Sequence, residues 1–104
     1  MMDISRAFRI LGNPTRLKIL QLLLKGPHCV GKLAEKLNTN QPAITQHLRV
    51  LEALNLVKGE RSGVRVHYAI DTEGLQALKE ELQKFLSGLE IQEEACEDLD
   101  KCQE

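Results

Sequence analysis

Residues 40–70 read NQPAITQHLRVLEALNLVKGERSGVRVHYAI, and the spacing of apolar residues changes period once within them. Up to residue 55, Ile44, Leu48, Leu51 and Leu54 recur at steps of four, three and three, which marks one face of an α-helix. Asn40 is a natural cap for that helix, and Pro42 fits its first turn because the amide that proline lacks has no partner there. From Leu56 onward, residues 56–61 and then 65–70 have strand character. Ser62-Gly63 between them offers turn chemistry, so the segment predicts a β-hairpin.

Upstream, residues 30–36 form a short helix with Val30, Leu33, Ala34 and Leu37 inward, and Asn38-Thr39-Asn40 supplies the turn into the next helix. Gly26-Pro27 stops a preceding helix over 14–25, capped by Asn13 and so nearly apolar all round that a central position is expected. A first helix over 3–11 carries Ile4, Ala7, Phe8 and Leu11 on one face. Downstream, Asp71 or Thr72 caps a last helix. Its stripe of Leu75, Leu78, Leu82, Phe85 and Leu89 is a heptad seam able to pack on another helix. The result is a mainly α fold of five helices with a two-stranded wing between the fourth and fifth, the plan of a winged helix-turn-helix. Residues 1–89 make that domain and residues 90–104 an acidic tail with two cysteines.

If Ile44, Leu48 and Leu51 face inward, the fourth helix turns Gln41, Thr45, Gln46 and Arg49 outward, with His47 to one side. Gln pairs with adenine edges, Thr meets a thymine methyl or a polar edge, and Arg reaches guanine or phosphate. Asn40 and the helix start suit a phosphate. Arg61 and Arg65 flank the hairpin tip and extend the same chemistry to phosphates or a minor groove. The net charge of -1 conceals an asymmetry: residues 1–70 hold eleven Lys or Arg against four Asp or Glu, and residues 71–104 hold three against eleven. A basic body followed by an acidic end fits double-stranded DNA as partner of the first part.

No glycine-rich phosphate loop, zinc-protease helix motif or Cys-x-x-Cys pair occurs, and the three histidines at 28, 47 and 67 share no catalytic spacing, so an enzyme is not expected. No apolar run is long enough for a bilayer, and the first residues lack a signal-peptide pattern, so a cytoplasmic protein with no membrane partner is expected. Three cysteines in a reducing compartment are thiols, ligands or redox groups rather than a disulfide framework.

Residues 40–70, together with NPTRLKILQLLLKGPHCVGKLAEKL at 13–37, resemble the ArsR/SmtB family of metal-responsive repressors. The resemblance spans about residues 4–89 and is most specific at Gln41-Pro42, Gln46-His47-Leu48, Leu51, Leu54 and Leu56-Val57. It implies a homodimer through the first and last helices, an inverted-repeat operator, and repression released by an effector. Arsenic and cadmium sensors of that family often carry Cys-Val-Cys at the start of the third helix. Here the stretch is Cys29-Val30-Gly31, and only the first thiol is present. Zinc and nickel sites of the family need a histidine on the last helix, which this chain lacks. Cys29, Cys96 and Cys102 remain as ligands for As(III), Cd(II), Pb(II) or Zn(II), with no cofactor needed for folding. A redox or persulfide switch at the same thiols, and plain packing of the cysteines, are the alternatives.

Overall fold

A computed structural model describes residues 2–93, and within them the chain runs α1 (Ile4–Leu11), α2 (Pro14–Leu24), β1 (His28–Cys29), α3 (Val30–Lys36), α4 (Gln41–Ala53), β2 (Val57–Ser62), β3 (Arg65–Ile70) and α5 (Thr72–Ser87). Four helices start on a side-chain cap. The carboxylates of Asp3 and Asp71 and the amide oxygens of Asn13 and Asn40 accept the first free backbone N–H groups of α1, α5, α2 and α4. The expected wing gains a third strand. β1 pairs antiparallel with β3, His28 opposite Tyr68 and Cys29 opposite His67, giving the sheet order β1-β3-β2. Two residues are too few for an alternation signal, which is why the sequence predicts only two strands.

α3 and α4 end in the same way. Asn38 and Asn55 adopt positive φ (54° and 63°), and the amides of Thr39 and Leu56 donate back to the carbonyls of Ala34 and Leu51. Each is a Schellman closure with asparagine in the left-handed position, which frees the chain to turn sharply after the helix. These two caps set the short corner between α3 and α4 and the exit from α4 into the wing.

The core is aliphatic. Ile19, Leu33, Ile44, Leu48, Leu51, Leu56 and Val57 are fully buried and join α2, α3, α4 and the start of β2. α2 is less central than its composition suggests: Ile19, Leu20 and Leu23 are buried, but Leu17 and Leu24 stand 42% and 56% exposed. The seam of α5 divides along its length. Leu78 is buried and Leu75 and Leu82 pack against the core, whereas Phe85 and Leu89 are exposed. Phe85 meets Phe8 of α1 edge to face, ring centroids 5.4 Å apart. α5 begins close against the end of α4: a Cβ on Gly74 would lie 1.5 Å from the Asn55 carbonyl oxygen, so only glycine fits.

Candidate nucleic-acid interface

The polar side of α4 is open. Ile44, Leu48 and Leu51 hold the opposite side in the core, so Gln41, Gln46 and Arg49 are exposed and Thr45 is half-buried. Asn40 is committed in part, since its Oδ1 accepts the Ala43 N–H at 2.9 Å, leaving its amide N–H groups outward. Gln41 leans over α3, where a Cβ on Gly31 would stand 3.4 Å from its Nε2. A larger residue at 31 would therefore press on the first polar side chain of α4.

His47 occupies the flank rather than the crest of this surface. It is half-buried and turned toward α2, where the Arg16 Nε–H donates to its Nδ1 at 3.2 Å. The same guanidinium donates from Nη1 to the Ile10 carbonyl at 3.2 Å, in the last turn of α1. Burial, with the Arg16 charge beside it, holds the His47 pKa below the ordinary imidazole value. Nothing in the segment around Arg16 relates it to residue 47, so this contact is not legible in the sequence.

The wing closes over Gly63-Val64, with Ser62 opposite Arg65 and Arg61 opposite Val66. The turn thus lies one residue later than the sequence predicts. Gly63 takes φ +65° at the first loop position, the geometry of a II′ hairpin. Directly paired residues share a face and neighbours alternate, so Arg61 and Arg65 lie on opposite faces of the wing. Arg65 belongs with a second group. It lines a cleft of about 360 Å³ between α3 and the sheet together with His28, Cys29, Lys32, Lys36 and His67, and no carboxylate lines it. Lys32 and Lys36 extend the cationic surface from the wing to α3, an extension that linear order hides.

Cys29 is half-buried in this cleft, where it ends β1 and takes the N-cap position of α3 without a side-chain hydrogen bond to the helix. The neighbouring His28 approaches the Gly26 carbonyl to 2.7 Å through Nδ1. A carbonyl only accepts, so Nδ1 carries the proton and Nε2 keeps its lone pair in the neutral ring. Among the described residues no three His, Cys, Asp or Glu side chains gather closely enough to hold a metal ion. Cys96 and Cys102 lie outside the described residues.

A helix pair with an open polar second helix, a cationic wing and a basic cleft between them defines a winged helix-turn-helix DNA-binding protein. A family model described as a bacterial regulatory protein of the arsR family matches residues 13–58. The chain is 41% identical over 81 residues to the HTH-type transcriptional regulator Rv2034 of Mycobacterium tuberculosis, covering 78% of this chain and 76% of the relative. Among solved structures it resembles a possible transcriptional regulator for arsenical resistance, with TM-score 0.68 and 35% identity over 75% of this chain and 81% of that one. It also resembles the homodimeric winged helix-turn-helix DNA-binding domain of a possible ArsR-family regulator from Mycobacterium bovis, with TM-score 0.66 and 29% identity over 89% and 87% of the two chains. The chain belongs to the ArsR family of transcriptional regulators, a family without enzymatic activity. No helix among the described residues is long and apolar enough to cross a membrane.

Proposed function

We propose that this protein is a cytoplasmic homodimeric repressor that reads an inverted-repeat operator with α4 and leaves it when a thiophilic metal or metalloid binds its cysteines. The exposed row of Gln41, Gln46 and Arg49 above a fully buried Ile44, Leu48 and Leu51 carries the DNA half of this reading. Base-edge donors and acceptors are held on a rigid helix, as direct readout requires. Asn40, Thr45 and His47 border that row. Arg61 and Arg65 serve the backbone on either face of the wing, with Lys32 and Lys36 beside Arg65. Dimerisation is supported by the apolar surface left on α1, on α5 and in the turn after it, where Phe8, Phe85, Leu86 and Leu89 are 43% to 59% exposed. A two-fold pair through those helices presents two α4 copies to two half-sites.

For the effector, Cys29 supplies one soft ligand. His28 and His67 line the same cleft, but no three His, Cys, Asp or Glu side chains among the described residues gather closely enough for an ion, and Lys32, Lys36 and Arg65 beside them oppose a cation. A thiolate site therefore needs Cys96 and Cys102. Two experiments test the reading. Selection of duplexes from a random pool should enrich a two-fold symmetric site whose binding weakens steeply with salt, and Arg49→Ala should abolish the selectivity while the protein stays dimeric. Titration of As(III), Cd(II), Pb(II) and Zn(II) into the reduced complex should release DNA and produce thiolate charge-transfer absorption, and both should vanish when the three cysteines become serine. Enrichment of no sequence would refute the DNA reading. Undiminished release from the triple variant would refute the thiol reading.

A further inference from the structure

We infer that Arg16 is a positioning residue for DNA recognition, locking the rotation of α4 on the body of the protein through the Nδ1 atom of His47. Three elements meet at this guanidinium: Arg16 projects from α2, its Nε–H donates to His47 on α4, and its Nη1–H donates to Ile10 at the end of α1, each contact 3.2 Å long. The Ile10 carbonyl is among the last four of α1, which lack a partner within their own helix, and a cation there also suits the helix dipole. Asn13 fixes where Arg16 starts. Its Oδ1 accepts the backbone N–H groups of Thr15 and Arg16 at 2.9 and 3.1 Å and so anchors the first turn of α2.

The chemistry of the contact is one-directional. A guanidinium has donors only, so Nδ1 of His47 must offer its lone pair and the ring proton must sit on Nε2. The fully buried Ile44, Leu48 and Leu51 set the depth and the coarse rotation of α4, but aliphatic packing has no direction and leaves the fine rotation to directed contacts. A directed bond from a residue that is itself tied to α1 supplies that restraint. The polar row at Gln46 and Arg49 is adjacent to His47 on the same helix, so a rotation of α4 displaces the atoms that meet base edges. Base readout requires fixed donor and acceptor positions, which links this contact to selectivity.

This inference rests on the DNA-binding reading above, and its tests separate the two. In the free protein at pH 7.5, long-range proton–nitrogen correlation should report His47 as the Nε2–H tautomer. Arg16→Gln should mix the tautomers. On a duplex selected by the wild-type protein, Arg16→Gln and His47→Gln should each lower specific affinity about tenfold, and the double variant should be no worse than either, as expected when two residues act through one contact. His47→Asn should retain affinity within about threefold, because its Oδ1 accepts where Nδ1 does. Circular dichroism should show all variants folded, and the salt slope of Arg16→Gln should equal that of wild type. A His47 carrying its proton on Nδ1, full affinity in Arg16→Gln, or additive losses in the double variant would overturn the inference. A salt slope lower by about 0.9 would overturn it too, by making Arg16 a direct phosphate contact. If no duplex is selected, the DNA role fails for both readings, while the tautomer still decides whether the contact exists.

Discussion

Replacing Gly74 with alanine should destabilise the protein, although alanine is the better helix former. Propensity alone argues for a gain of up to about 1 kcal/mol. The packing argues the other way. The new Cβ would lie 1.5 Å from the carbonyl oxygen of Asn55 and 2.6 Å from its carbonyl carbon, both backbone atoms at the end of α4 that cannot swing aside. Separating Cβ and oxygen to 3.0 Å moves α5 away from α4 by about 1.5 Å. That movement strains the cap in which the Gly74 N–H donates to Asp71 at 3.3 Å, and it shifts Leu78, the buried anchor of α5. Overpacking of this kind costs about 1–3 kcal/mol and a lost cap about 1 kcal/mol, so the net loss is about 2 kcal/mol. For a domain of this size that lowers Tm by about 10 °C. Thermal unfolding of wild type and Gly74→Ala at one protein concentration measures it, since a dimer's Tm depends on concentration. An unchanged or raised Tm would refute the close approach of α5 to α4.

Phe8→Ala and Phe85→Ala should each weaken dimerisation at least tenfold while the folded monomer persists, because both rings are nearly half exposed in the single chain. Sedimentation equilibrium reads this. Lys32→Gln with Lys36→Gln should reduce the salt slope of DNA binding by about 2 and weaken specific and random DNA alike, as expected for two backbone contacts. Measuring affinity on a selected and a random duplex over a range of salt tests it. His47 gives stability a defined pH dependence. Its folded pKa lies below the ordinary value of about 6.5, so near and below that value the unfolded chain binds the extra proton more readily. Its contribution is complete above about pH 6.5 and is lost as pH falls through the folded pKa. Urea midpoints from pH 5 to 8 should fall on the acid side for wild type and fall less for His47→Asn.

Much of the fold is legible in the sequence because period and caps agree. The steps from Ile44 to Leu54 identify the inward face of α4 without any knowledge of its partners, and Asn13, Asn40 and Asp71 begin their helices where capping chemistry places them. What escapes reading depends on contacts remote in sequence. β1 exists only because β3 offers His28 and Cys29 a free edge. The separation of Arg61 and Arg65 follows from a register that becomes fixed once Ser62 pairs with Arg65, one residue away from the turn that Ser62-Gly63 suggests. Gly74 resembles a poor helix residue until Asn55 is seen beside it. His47 reads as a polar residue to one side of the outward face, and only the fold brings Arg16, thirty-one positions earlier, against its ring.

The most direct measurement is chemical-shift mapping of the isotopically labelled protein against its selected duplex, with the mass of the complex determined in parallel. Two chains should bind one duplex, and the largest shifts should fall on Gln41, Thr45, Gln46 and Arg49 and on the wing around Arg61 and Arg65. Shifts confined to α1 and α5, or one chain per symmetric duplex, would contradict a paired recognition helix as the reading element.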